Sequence, residues 1–157
     1  MRDVLKLYRS LTSDIPIQPR ICEITTFDPK LHKTEWLELN NKIFINHPDQ
    51  GNWARVDLEN RIVEPWFDPE GFFIATKNKK MLGFCWTKIH RNLSNHDTIG
   101  EIYVIGVDPE SKNKGIGKVL ASTALTYLKL KAVSQVMLYV DSDNFPALKF
   151  YRSLNFN

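Results

Sequence analysis

Hydrophobic and polar positions are most clearly ordered in the second half of the chain. From Glu101 to Val107, β-branched and aromatic residues follow one another without in/out alternation, which predicts a strand buried on both faces. Asp108-Pro109 ends it, because proline offers no N–H to a ladder and biases its predecessor toward extended geometry. A polar, lysine-rich loop with Gly115 and Gly117 follows. Ile116, Val119, Leu120, Thr123, Ala124, Tyr127 and Leu128 then recur at helical spacing, so a long helix begins beside those glycines. Val136 to Val140 reads as another strand. Ala147, Tyr151 and Leu154 share one face of a last helix capped by Asp143 or Asn144.

The first half alternates more loosely. Cys22 to Phe27 predicts a strand, and Trp36, Leu37, Leu39, Asn40, Ile43 and Phe44 predict a helix across 31–45. His47-Pro-Asp-Gln-Gly-Asn-Trp53 is a polar loop carrying a tryptophan, and a second helix runs from about Leu58 to Val63, before Pro65. Phe72–Thr76 and Met81–Ile89 are strands joined by the basic turn Lys77-Asn-Lys-Lys80, and a loop from His90 to Thr98 leads into the strand at 101. Residues 1–20 stand apart: Asp3 to Leu11 has strand-like composition, and Ser13 to Arg20, with two prolines, reads as a linker. Residues 21–157 then form one α/β domain with a mixed sheet (α+β in the order of its elements).

Composition narrows the function classes. At 157 residues, with 43% hydrophobic and 25% charged positions, the chain is large enough for one packed core and is not of disordered type. No apolar run is long enough to span a bilayer, and the start of the chain lacks a signal-type apolar segment, so a membrane partner is not expected and a cytoplasmic location is. Net charge is only +3, and aromatic residues are not interleaved with basic ones, which argues against a nucleic-acid partner. Cys22 and Cys85 have no metal-ligand spacing and read as buried thiols; His90 and His96 lack a carboxylate or cysteine at ligand spacing, so no metal site is expected and both histidines read as solvent-exposed.

The strand–loop–helix at 101–128 is a physical recipe for holding phosphate. First-turn N–H groups have no partners inside a helix, the macrodipole adds positive charge there, and Lys112, Lys114 and Lys118 add more. Glycines alone fit an ordinary β-turn-α connection equally well, and the loop has neither P-loop nor Rossmann spacing. Taken together, however, Val107-Asp-Pro109, Lys112-Asn-Lys-Gly-Ile-Gly117, the long helix, the strand 136–140 and the run Asn144, Ala147, Tyr151, Leu154, Phe156 resemble the GNAT superfamily of acyl-CoA-dependent N-acetyltransferases. Lys112 stands where the family's pyrophosphate loop has Gln or Arg.

This resemblance implies a GNAT fold and acetyl-CoA as co-substrate, with no metal. It places the pyrophosphate on Lys112, Asn113, Lys114, Gly115, Ile116, Gly117 and Lys118. The pantetheine arm falls on free main-chain groups of Ile105, Gly106 and Val107, with Asn144 nearby. Gly106 either marks a bulge or relieves packing. Glu101 becomes the candidate base and Tyr151 the candidate acid for the leaving thiolate; a solvated strand-end glutamate and a core tyrosine are the plain alternatives.

A narrower resemblance runs from about residue 20 to the end. Residues 47–53, Asp57-Leu58, Arg61, Trp66-Phe-Asp-Pro69, Trp86-Thr-Lys-Ile-His90, Gly100-Glu-Ile-Tyr-Val104 and Leu138-Tyr-Val140 are similar to the C-terminal catalytic domain of the mycothiol synthase family. That family acetylates a cysteinyl-glucosaminyl-inositol, a small-molecule amine, and by resemblance Asp49, Lys88, Glu101 and Tyr139 hold it; Asp49 departs from the family's glutamate. Other amines, and a non-catalytic acyl-CoA-binding module, are the alternatives. The family carries two GNAT domains per chain, so a second such domain or a homodimer is the expected partner. The family also continues past the last helix into one more strand. Its absence predicts an unpaired sheet edge, which residues 3–11 fill in cis or from a second copy.

Overall fold

The computed structural model describes residues 2–91 and 97–157. Its six strands are β1 (Val4–Ser10), β2 (Glu23–Thr26), β3 (Phe72–Lys77), β4 (Lys80–Arg91), β5 (Thr98–Val107) and β6 (Gln135–Asp141). Four helices, α1 (Lys33–Ile43), α2 (Arg55–Ile62), α3 (Ile116–Leu130) and α4 (Phe145–Ser153), cover the sheet, whose order is β1-β6-β5-β4-β3-β2. Four of the pairings are antiparallel, and β5–β6 is parallel.

The strand at 101–107 is buried on both faces, as its unbroken apolar run predicts. Ile102 belongs to the core under α3 and α4, with Leu120, Leu125, Leu128, Val136 and Leu138. Val104 belongs to the opposite core, under α1 and α2. Trp36 centres that second core, fully buried, with the rings of Trp53, Phe72, Phe84 and Trp86 between 5.1 and 5.7 Å away, mostly edge-on as aromatic quadrupoles prefer.

Several boundaries differ from the sequence reading. The second helix starts three residues earlier, at Arg55, because Asp57 accepts the N–H of Ala54 (2.7 Å) and so caps the first turn. His90 and Arg91 are strand rather than loop: β4 runs on to pair His90 with Ile99 and Arg91 with Thr98. Their polar side chains suit a partly exposed strand end, and this hid the strand from a hydrophobicity pattern. His96 lies outside the described residues. Lys77 to Lys80 is the expected exposed hairpin turn, with Asn78 and Lys79 at φ 51 and 64. Both cysteines are free and buried, and burial pushes their thiols up.

β1 takes the sheet edge beside β6 within the same chain, in register from Val4↔Asp141 to Ser10↔Gln135. On its outer edge Tyr8 exchanges two 2.8 Å backbone hydrogen bonds with Asn157. Arg9 locks this arrangement: only 2% exposed, it donates to the carbonyls of Leu154 (2.7 Å), Ser10 (2.7 Å) and Asp14 (2.8 Å). Arg9→Ala leaves the buried Leu154 carbonyl without its donor and removes the two part-buried bonds to Ser10 and Asp14, and is expected to lower unfolding free energy by about 3 kcal/mol. Urea denaturation measures this, and an unchanged midpoint contradicts the role given to Arg9.

Candidate active site

β5 and β6 are hydrogen-bonded at two positions only, Gly100↔Val136 and Glu101↔Met137. Beyond Glu101 they diverge, although β5 stays paired with β4 as far as Val107 and β6 stays paired with β1 as far as Asp141. A bulge accompanies the divergence: Trp86 faces Val104 while Thr87 faces Ile102, so Tyr103 is the extra residue. The bulge is therefore not at Gly106, which sits opposite Phe84 in regular register. A Cβ at Gly106 would lie 3.0 Å from the Ile43 side chain of α1, a tight contact that a small shift of Ile43 would have to relieve.

The opening contains two joined cavities. The first, about 450 Å³, is walled by Ile105, Gly106 and Val107 of β5 and by Lys112, Asn113, Gly115, Ile116, Gly117 and Lys118 of the loop and α3. Asn144, whose side chain caps α4 by accepting the Ala147 N–H (3.3 Å), lines it as well. Lys114 does not; it lines a separate cavity on the other side of the loop. Gly115 is the N-cap of α3 at φ 87, a left-handed conformation that disfavours side chains, and Asn113 is also left-handed, at φ 64. The first N–H groups of α3, at Ile116 to Lys118, thus meet the mouth of the opening with no helical acceptor. This is the chemistry of an anion cradle, and it fits the diphosphate of a CoA thioester.

The second cavity, about 370 Å³, lies beside the loop that follows α1 and is lined by Tyr103, Tyr139, Asp49, Asp141 and Arg2 among others. Four residues, Ile105, Asn144, Ala147 and Tyr151, border both cavities. Tyr151 therefore stands where the two meet. Burial pushes its hydroxyl well above the usual tyrosine range, with the Cys85 thiol adding to the effect, so at neutral pH it is a neutral donor. Among the described residues that hydroxyl has no hydrogen-bond partner, although Phe150 and Phe156 pack on the ring.

Asp49 is placed by its loop. The His47 Nδ1 accepts the N–H groups of Asp49 (3.1 Å) and Gln50 (2.9 Å), and the Trp53 indole donates to the Asp49 carbonyl (3.0 Å). Asn41 of α1 then pins Trp53 through bonds of 2.8 and 2.9 Å. Across the cavity mouth Arg2 bonds Asp49 and, at 2.5 Å, Asp141. The guanidinium holds the Asp49 carboxyl below the usual carboxylate range. Neither Arg2 nor Asp141 stands out in sequence, because their proximity depends on β1 pairing with β6.

Glu101 and Lys88 line neither cavity. Glu101 occupies the apex of the opening, at the last parallel pair, and is only 6% exposed rather than a solvated strand-end glutamate. Its Oε1 lies 2.6 Å from His90 Nε2, so His90 is a partner of the candidate base and not a free surface histidine. Lys88 sits opposite Glu101 in register, with its Nζ 4.4 Å above the Trp66 ring and 5.7 Å from that of Tyr103. Arg61 joins this group by donating to the Tyr103 hydroxyl (2.9 Å). Among the described residues, no three His, Cys, Asp or Glu side chains are grouped to hold a metal ion. No described helix is long and apolar enough to cross a membrane.

Comparison with known proteins bears directly on this site. The acetyltransferase (GNAT) family profile matches residues 24–156. A mycothiol acetyltransferase of Thermobispora bispora is 42% identical over 99% of this chain and 54% of its own length. The chain thus spans about half the length of such curated relatives. Among solved structures, a GCN5-related N-acetyltransferase from Sphaerobacter thermophilus superposes with a TM-score of 0.74 at 20% identity, over 99% of this chain and 48% of that one. The NatC complex bound to Gag peptide and CoA superposes with a TM-score of 0.68 at 18% identity, over 83% of this chain and 81% of that one. With the splayed strands, the α3 N-terminus at their mouth and a family match that spans nearly all of the sheet, this chain belongs to the GNAT acetyltransferase family.

Proposed function

We propose that the chain is an acetyl-CoA-dependent N-acetyltransferase whose acceptor is the cysteinyl amine of a cysteinyl-glucosaminyl-inositol. The observation that carries the transferase reading is the opening between β5 and β6 with the unpaired start of α3 at its mouth. CoA in the NatC complex, on the same fold, supports the cofactor assignment. The name shared by the curated relatives supports the acceptor, as does the polar character of the second cavity, where Asp49, Asp141 and Tyr139 offer charge and hydroxyl to a polyhydroxylated amine.

Bound acetyl-CoA supplies an activated acetyl group as a thioester. The chain's own groups do the rest. First-turn N–H groups of α3 hold the diphosphate. The β6-facing edge of β5 beyond Glu101 has no ladder partner, so its main-chain groups bind the pantetheine amides and polarise the acetyl carbonyl. Glu101, steadied by His90, takes the proton that the acceptor amine must lose, through a water if the carboxylate does not reach it directly. Tyr151 donates its proton to the sulfur as the C–S bond breaks. One amide bond forms, one thioester bond breaks, and one proton is taken while another is given. No step calls on a metal ion.

Gly115→Asp sets a carboxylate beside the diphosphate at a left-handed position and is expected to abolish acetyl-CoA binding by calorimetry; unchanged affinity in the folded variant contradicts the loop's role. Glu101→Gln and Tyr151→Phe are each expected to reduce turnover by about two to four orders of magnitude while sparing acetyl-CoA affinity. Wild-type turnover in both variants eliminates these roles. For the acceptor, thiol release from acetyl-CoA is expected with the cysteinyl pseudodisaccharide and not with simple peptides, because a pocket built for hydroxyls penalises analogues lacking them. Equal rates with both leave only the general acetyltransferase reading.

A further inference from the structure

The second cavity holds three charges in fixed places. The Arg2 guanidinium spans two carboxylates: its Nε donates to Asp141 Oδ1 (2.5 Å), one terminal nitrogen donates to Asp141 Oδ2 (3.4 Å), and the other donates to Asp49. Among the described residues neither carboxylate has another ionic partner, and these three are the acidic and basic side chains that line the cavity, His47 aside. His47 adds no charge, since its Nδ1 accepts two backbone N–H groups and so carries no proton.

Each member of the cluster is set by a different part of the fold. β1 and β6 stay together past Val4↔Asp141, where Ser142 donates to the Asp3 carbonyl (2.8 Å), and this brings Arg2 beside Asp141. Asp49 sits on the turn that His47 and Trp53 hold. The Arg2 and Asp49 side chains are 37% and 72% exposed, so the cluster stands at a rim that an entering ligand meets. Two carboxylates and one guanidinium leave one net negative charge there. The guanidinium fork does not use all the lone pairs of the two carboxylates, so both can still accept from a further donor.

We propose that Arg2 is a specificity residue that sorts amines by charge. By neutralising one of the two carboxylates it matches the rim to an acceptor with a single ammonium and withholds the extra attraction that a second ammonium would otherwise find. This rests on the second cavity being the acceptor site, as read above, and adds to that reading the residue that limits which amines enter. Charge and shape separate cleanly at this position. A lysine keeps the positive charge but not the planar fork that reaches both carboxylates at once, and a glutamine removes the charge.

The test compares kcat/KM, by thiol release at saturating acetyl-CoA, for the cysteinyl pseudodisaccharide and for its ornithyl analogue, which carries a second ammonium. An exposed charge pair contributes up to about threefold to fivefold in affinity, so Arg2→Gln is expected to raise the ornithyl-to-cysteinyl ratio by about that factor. The change is expected in KM rather than kcat, to shrink as salt is added, and to leave acetyl-CoA affinity unaltered. Arg2→Lys is expected to keep the wild-type ratio. Arg2 is exposed and precedes β1, so folding is not at stake. An unchanged ratio in Arg2→Gln, or an equal loss for both acceptors, overturns the assignment and leaves the acceptor reading intact. A ratio that shifts as far in Arg2→Lys as in Arg2→Gln also overturns it, because the fork and not the charge is then what matters. Thiol release with neither acceptor in the wild-type protein overturns the acceptor reading and the role of Arg2 with it.

Discussion

Everything at the site depends on how little β5 and β6 are bonded to each other. Two paired positions hold them together, and past Glu101 the strands separate while each remains tied on its outer side, β5 to β4 and β6 to β1. The inner edges therefore keep free N–H and C=O groups without the sheet losing its frame. A backbone group desolvated without a partner costs about 1–3 kcal/mol, so such edges persist only where water or a ligand satisfies them. An amide-rich chain such as pantetheine is a fitting occupant, and the anion cradle at the start of α3 lies at the mouth of the same opening.

The same frame explains why distant segments matter. β1 is far from the site in sequence, yet it holds β6 in place and brings Arg2 to Asp49 and Asp141 beside the second cavity. Arg9 ties β1 to the carbonyl of Leu154 just past α4, the helix that carries Tyr151. On the other side, Asn41 of α1 pins Trp53 and so supports the turn that presents Asp49. The second cavity is thus assembled from separate parts of the chain that the sheet brings together.

Patterns that are local in sequence were legible. The doubly buried strand at 101–107, the helix beginning at Gly115, the Asn144 cap and the hairpin at 77–80 all follow from neighbouring residues. Of the two candidate catalytic residues, Glu101 is at the apex of the opening and Tyr151 borders both cavities. What was not legible depends on register. The contact between His90 and Glu101 exists because Lys88 pairs with Glu101, and no single-strand pattern reveals that pairing. The bulge at Tyr103 has no glycine to mark it, whereas Gly106 sits in regular register, close to the Ile43 side chain. Lys114 looked equivalent to Lys112 and Lys118, but two left-handed residues, Asn113 and Gly115, flank it in a loop that turns it to the other side.

The central claim is that the gap between β5 and β6 is the seat of the cofactor. Amide hydrogen exchange with and without acetyl-CoA tests it most directly. Slowed exchange confined to the β5 segment 102–107 and to the start of α3 at 116–118 is the expected result. Unchanged exchange in both segments at saturating acetyl-CoA, with protection appearing elsewhere on the sheet, contradicts it.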